Sequence, residues 1–215
     1  SAALKRVLEI EPDYGRARLE LLQILGRHND DSAAIALCRE GQLYEPTQVV
    51  FYYYEGISHY RLDDKKSALD ALQRGVPHIT SETYPELASD LFCTMGDLLH
   101  DLNRNAEAYA AYDSSLVYNP ENILCLNNYA YFLSLDARDL DKSADMARRA
   151  VQTEPQNSTY LDTYAWVLFV QRHYEQAKIY IDQALAAVKE DEESSTYYKH
   201  AGDIYWKIGD RKNAR

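Results

Sequence analysis

Residues 89–120 read SDLFCTMGDLLHDLNRNAEAYAAYDSSLVYNP, and this stretch decides the fold. Within 91–102, and again within 106–117, apolar residues recur at steps of three and four, which places them on one face of an α-helix. The polar turn Asn103-Arg104-Asn105 separates the two runs, and Pro120 closes them. Small residues, Gly96 on the first run and Ala108 on the second, mark where the helices approach closely. Neither helix buries its apolar stripe alone, so the pair is built to be stacked on further pairs.

The same register recurs outward in both directions. Pro12, Pro46, Pro120 and Pro155 each close a second helix, and each follows an acidic residue or Asn (Glu11, Glu45, Asn119, Glu154). Proline cannot continue a helix but suits the entry to the next one. Pro12 to Pro46 is a step of 34 residues and Pro120 to Pro155 one of 35, while Pro46 to Pro120 spans two units plus six residues. A fixed period of roughly 34 residues is the signature of helix–turn–helix solenoids.

On these residues the chain resembles the tetratricopeptide-repeat (TPR) family, whose pattern is a large residue, Leu-Gly, Tyr, an Ala in the second helix, an aromatic and a closing Pro. The central unit holds Phe92, Met95-Gly96, Leu99, Ala108, Tyr112 and Pro120 at those places. The unit before it has Tyr52, Glu55-Gly56, His59, Ala68 and Leu72, without the closing Pro. The first full unit is degenerate, with Arg18, Leu21-Leu22, Leu25, Ala34, Cys38 and Gly41. The fourth has Leu126, Tyr129-Ala130, Leu133, Ser143 in place of Ala, and Ala150. The fifth has Leu161, Tyr164-Ala165, Leu168, Ala177, Ile181 and Ala184, and the sixth Tyr198, Ala201-Gly202, Tyr205 and Ala214.

The resemblance implies an all-α fold, an α-α superhelix in which a TPR solenoid of antiparallel helix pairs forms a single domain over 1–215. Residues 1–12 are then the second helix of a truncated repeat, full repeats lie near 15–48, 49–88, 89–122, 123–157 and 158–194, and a partial repeat occupies 195–215. First helices are expected near 15–27, 49–62, 87–102, 123–135, 158–171 and 195–208. The six-residue excess falls in 76–84, with Pro77 and Pro85 as stops, and the acidic run 189–193 is a second, shorter excess. Ser1 stands where a Met is expected and 4–10 is already helical in period, so the chain reads as an excised or processed piece.

Composition excludes several function classes. Lys and Arg number 23 against 34 Asp and Glu, a net charge of −11 that repels phosphate backbones and speaks against nucleic-acid partners. No apolar stretch has the length of a membrane span. Cys38, Cys93 and Cys125 are far apart and odd in number, so neither a full disulfide framework nor a zinc cluster is expected, and Cys38 reads as a core residue. Six dispersed histidines and the absence of HExxH, P-loop, GxSxG or dinucleotide motifs give no catalytic residues, no metal site, no cofactor and no enzyme. Asp97, His100 and Asp101 share one helix face, a spacing common on exposed helix surfaces. Asn157-Ser158-Thr159 matches a glycosylation sequon but sits in a repeat turn, where Asn and Ser recur anyway.

Tyrosine is abundant, with 19 residues. Tyr52, Tyr112, Tyr129, Tyr164, Tyr198 and Tyr205 fall on packing positions of the repeat. Tyr53, Tyr54, Tyr60, Tyr131, Trp166 and Trp206 project instead from first helices toward the concave face, which the resemblance implies is a ligand groove. Asn127 and Asn128 fall there too, and an amide side chain can pair with an extended peptide backbone. Asp97 and Asp162 complete the candidate site, and Tyr54, Asn127, Asn128, Asp162, Trp166 and Trp206 are expected to be at least partly exposed. Asp90, Asp101 and Asp203 add to an acidic floor with few cations. The triplet of Lys, Asn and Arg by which some TPR proteins clamp a C-terminal carboxylate is not matched. The implied function is a protein–protein interaction scaffold that binds a peptide or protein segment with basic and apolar residues. A sensing or dimerising part of a larger regulator and a carbohydrate surface built on the groove aromatics are the alternatives. The segments 126–131 and 161–166 also resemble exported or lipid-anchored bacterial TPR proteins, which leans localisation toward the periplasm.

Overall fold

The computed structural model describes residues 2–188 and 195–214, so the acidic run 189–193 lies outside the described residues. Among them the regular elements are all helical. They are α1 (Ala2–Ile10), α2 (Gly15–Arg27), α3 (Asp31–Tyr44), α4 (Val49–Arg61), α5 (Lys65–Gly75), α6 (Pro85–Asp101), α7 (Asn105–Tyr118), α8 (Ile123–Leu135), α9 (Leu140–Thr153), α10 (Ser158–Val170), α11 (Tyr174–Ala187) and α12 (Ser195–Ile208). None is long and apolar enough to cross a membrane. The first helices begin and end within two residues of their expected positions. The chain forms two compact units, Ser1–Pro120 with α1–α7 and Glu121–Arg215 with α8–α12.

Two recurring turns build the helix pairs. Leaving a second helix, α1, α3, α7 and α9 each stop two residues before Pro12, Pro46, Pro120 or Pro155, and four residues later the next helix is under way. In three of these links the N–H of Tyr14, Gln48 or Asn157 donates to the carbonyl of Glu11, Glu45 or Glu154 at 3.1 Å. That is a β-turn with proline at its second position, where a fixed φ near −65° is what the turn needs.

Leaving a first helix, the chain closes by a different device. The N–H of Asp30, Asp64, Arg104, Arg138, His173 and Asp210 donates to the carbonyl of Leu25, His59, Leu99, Leu133, Leu168 and Tyr205, at 2.8–3.1 Å. The residue just before each donor, Asn29, Asp63, Asn103, Ala137, Arg172 or Gly209, is left-handed, with φ between 48° and 81°. This is the Schellman closure of a helix C-terminus. Its acceptors are the residues aligned from sequence as the Tyr position of the repeat. The next helix is then capped where chemistry allows: Asp30 and Asp64 accept from the N–H of Ala33 and Ser67.

Within each pair the sequence register marks the contact. A Cβ on Gly56 would lie 2.6 Å from Leu72, and one on Gly96 would lie 2.5 Å from the ring of Tyr112, so both first helices touch their second helices through backbone. Ala68, Ala108 and Ala177 on the facing helices are fully buried, as is Tyr112. In the first unit Leu8, Leu21, Leu22, Leu37, Cys38 and Phe51 belong to one core cluster. In the second, Leu161, Leu168, Ile181, Ile204 and Tyr205 do.

Two expectations need correction. The helix α6 starts two residues earlier than expected, because Pro85, which bounds the inserted segment 76–84, is itself the first residue of the helix, where its missing N–H is no loss. After α5 comes a short 3-10 turn, Val76–His78, in which His78 stacks on Tyr52 at 5.2 Å. Tyr198 is 63 % exposed and is not a packing residue; the buried face of α12 runs through Tyr197, Ala201, Ile204 and Tyr205.

Candidate functional site

In the second unit, α8 and α10 carry polar residues one turn in from their N-termini: Asn127 and Asn128 on α8, Asp162 and Thr163 on α10. Both helices start on an asparagine cap, Asn122 accepting from Cys125 N–H and Asn157 from the N–H of Thr159 and Tyr160, which fixes where that turn falls. Capping is thus what the sequon asparagine does. An open cavity of about 410 Å³ lies over these residues, lined by Asn127, Asn128, Tyr131, Phe132, Asp162 and Thr163, with Thr159 and Tyr197 at its side.

The polar groups under this cavity are deeply placed. Asn127 is 4 % exposed and Asp162 3 % exposed, against the expectation that both would be partly open. Asp162 is covered because His200 of α12, also 3 % exposed, brings Nδ1 within 2.9 Å of both carboxylate oxygens. Burial pushes the Asp162 carboxyl above its ordinary range, while the His200 hydrogen bond and charge pull the other way. The Asn127 amide donates to Asn128 Oδ1 at 3.1 Å, but its own Oδ1 is buried without a hydrogen-bond partner. Thr159 and Tyr197 exchange a hydroxyl hydrogen bond at 2.8 Å.

Trp166 is half-buried rather than a free anchor. It stacks on His200 at 4.1 Å and on Phe169 at 5.0 Å, and its Nε1 is buried without a partner. Tyr131 is half-buried, and burial beside Asp162 raises its hydroxyl pKa. Trp206 is 66 % exposed, with the Arg211 guanidinium 6.0 Å from its ring centre, and is not among the residues lining the cavity.

The remaining candidates belong to the first unit. Tyr54 lines a cavity of about 360 Å³ between α2 and α4, together with Gln23, Arg27, Ser58 and Arg61. This cavity is basic, contrary to the expectation of few cations. Tyr53 packs edge-on to Tyr54 at 5.4 Å, and burial drives its hydroxyl pKa well up. The Tyr60 hydroxyl faces Asp101 at 3.5 Å, and burial with that carboxylate pushes it up to about 12. Asp97 accepts from the Tyr112 hydroxyl, so it ties α6 to α7 instead of standing open on the groove floor. Asp101 is paired with Lys65 at 3.0 Å. Among the described residues no group of three His, Cys, Asp or Glu is placed to hold a metal ion.

Sequence reading missed two buried clusters. One is His200, whose meeting with Asp162 follows from the stacking of α10 and α12. The other surrounds Glu55 on α4, whose buried carboxylate accepts from Gln42 at 2.7 Å and from Arg39 and Arg74 at 2.8 Å each. Burial alone would raise this group, but the three hydrogen bonds together hold it below the usual carboxylate range. A Glu in the small-residue neighbourhood of Gly56, with Arg and Gln on both flanking second helices, was the available signal. Arg18, at the large-residue position of the first repeat, is fully buried and donates from Nη2 to the Pro12 carbonyl at 2.6 Å.

Comparisons with known proteins bear on this geometry. No family model matches the chain. It is 24 % identical over 179 residues to the TPR repeat-containing protein MJ1428 of Methanocaldococcus jannaschii, which is 77 % of this chain and 29 % of that protein. The chain thus spans less than a third of that relative's length. Among solved structures it is similar to PilW, described as a type IV pilus biogenesis factor (TM-score 0.74, 16 % identity, 93 % of this chain and 88 % of that one). It is also similar to pilF of Pseudomonas aeruginosa (TM-score 0.72, 14 % identity, 93 % and 86 % covered). A third is YrrB, described as a TPR protein with an unusual peptide-binding site (TM-score 0.66, 15 % identity, 88 % and 94 % covered). The proline-turn and Schellman register, shared by helix pair after helix pair, and these likenesses agree: the chain has the all-α helical-repeat solenoid fold of the tetratricopeptide-repeat proteins.

Proposed function

We propose that the chain is a protein–protein interaction scaffold and that the α8–α10 surface of its second unit holds an extended peptide or protein segment. One observation carries this reading: Asn127, Asn128, Tyr131 and Asp162, which the repeat register alone selects, surround a single open cavity. Such a cavity offers amide groups for a peptide backbone and aromatic rings for apolar side chains. The peptide-binding site named for YrrB supports a similar use of the fold here. The reading is non-catalytic and needs neither metal nor cofactor.

Selection of a random peptide library on the whole chain tests the proposal. Enriched peptides are expected to bind the wild type and to lose about tenfold in affinity on Asn128→Ala or Tyr131→Ala, roughly one hydrogen bond or one partly buried ring. Peptides that bind both variants as tightly as the wild type would place the interaction elsewhere and sink the assignment to α8–α10.

A further inference from the structure

Donors and acceptors do not balance around the cavity of the second unit. A carboxylate offers about four lone-pair sites, and a His Nδ1–H supplies one donor, so Asp162 retains acceptor capacity after pairing with His200. Asn127 Oδ1 is a second acceptor, buried and without a partner, on a residue of the neighbouring helix that lines the same cavity. No lysine or arginine is among the described residues that line the cavity. An acceptor buried from solvent without a partner is costly until a donor arrives.

The geometry points to a specific occupant: we propose that this cavity is a subsite for the ε-ammonium group of a lysine side chain on the bound segment. The proposal rests on the scaffold reading above and adds the chemistry of the partner. An ammonium brings three donors and a positive charge, enough to meet Asn127 Oδ1 and Asp162 together. Its four-carbon stem suits the Tyr131 and Phe132 side of the cavity, because lysine buries methylenes along apolar surface and its charge is attracted to ring faces. A guanidinium fits less well. Its forked donors need a free pair of carboxylate oxygens, and His200 already spans both oxygens of Asp162. The surplus of negative charge on the whole chain steers the same partner.

The test uses N-acetyl-lysine methylamide as probe, followed by NMR shifts of the backbone amides of Asn127, Asp162 and Thr163 in the whole chain. Saturable shifts are expected with this probe, and with N-acetyl-norleucine methylamide, which lacks the charge, binding about tenfold weaker. Asn127→Asp is expected to tighten the lysine probe severalfold by adding charge at the unmet acceptor. Asp162→Asn, which still accepts from His200, is expected to weaken it about tenfold while leaving the norleucine probe unchanged. Equal binding of the two probes, or tighter binding of alanine methylamide with its free α-amino group, overturns the lysine assignment. So does loss of both probes alike on Asp162→Asn. Selected peptides that bind through Asn128 and Tyr131 but carry no lysine overturn this inference and leave the scaffold reading standing.

Discussion

Two buried carboxylates sit on first helices of this chain, and they are treated in opposite ways. Glu55 in the first unit is met by three donors, two of them cations reaching in from α3 and α5. Asp162 in the second unit is met by one imidazole and shares its cavity with Asn127, whose amide oxygen has no partner. A buried charge met by three donors, two of them cations, ties helices together and has little left to offer a ligand. One that is only partly engaged contributes less to the fold and keeps capacity for a partner. The difference separates a structural joint at Glu55 from the seat proposed at Asp162 without reference to sequence motifs.

The largest expected effect breaks the joint. Glu55→Ala removes the acceptor shared by α3, α4 and α5 and should cost about 3 kcal/mol in a urea titration, at the low end for a buried pair because Arg39 and Arg74 reach solvent and rehydrate. Asp162→Asn keeps a hydrogen bond to His200 and sheds a buried charge, so its cost should be below about 1 kcal/mol. Equal losses for the two variants would erase the distinction between joint and seat.

A second effect of similar kind concerns close packing. Ala108 is fully buried opposite the first helix of its pair, and Ala108→Leu should cost about 1–3 kcal/mol by overpacking. Trp166→Ala should also lower the melting temperature, because the ring stacks on His200 and Phe169, and the His200–Asp162 pair loses its cover.

Acid titration sharpens the comparison. The carboxyl of Glu55 is held below its unfolded value of about 4.3, so the stability it contributes is present above that pH and is lost as pH falls through the lower folded value. Asp162 is raised, so its contribution is present below its unfolded value of about 3.9 and is lost as pH rises through the folded value. Glu55→Gln should therefore flatten the acid limb of the stability curve. Asp162→Asn should remove a decline on the rising side. Identical pH profiles for wild type and Glu55→Gln would show that the three hydrogen bonds do not discriminate charged from neutral Glu55.

The fold was legible because it is written in backbone requirements that few residues satisfy. Pro12, Pro46, Pro120 and Pro155 are fixed by a turn needing φ near −65°, and Gly56 and Gly96 by helices that touch, so both could be read as a register. The candidate site was legible only as far as that register reaches. It placed Asn127, Asn128, Tyr131 and Asp162 together, because residues at like positions on stacked helices become neighbours. It did not foresee that His200 would cover Asp162, that Asp97 would turn to Tyr112, or that Arg27 and Arg61 would share a cavity with Tyr54. Those outcomes depend on side-chain torsions and on pairing between helices, which periodicity does not encode. Tyr198 was misassigned for a related reason. In α12 two adjacent tyrosines both fit the pattern, and burial selects Tyr197.

The smallest expected effect comes from the turns and returns to the contrast between the units. Each first helix ends on a left-handed residue. In the first unit these are Asn29, Asp63 and Asn103, residue types that tolerate this conformation through their short polar side chains. In the second unit two of them are Ala137 and Arg172, at φ 48° and 68°, which gain no such local hydrogen bond and carry a Cβ crowded against the carbonyl. Glycine at either place removes the crowding, worth roughly 1–2 kcal/mol, and returns part of it as extra freedom of the unfolded chain. Arg172→Gly and Ala137→Gly should thus each stabilise the second unit by about 0.5–1 kcal/mol, whereas Asn103→Gly should change the first by a few tenths at most. Native-state hydrogen exchange reads this locally. The amide of His173, which donates to Leu168 across the turn at 2.8 Å, should exchange severalfold more slowly in Arg172→Gly. Unchanged exchange at His173, or an equal gain from Asn103→Gly, would show that the second unit's turns hold no more strain than the first's, and that the two units differ only in their buried polar groups.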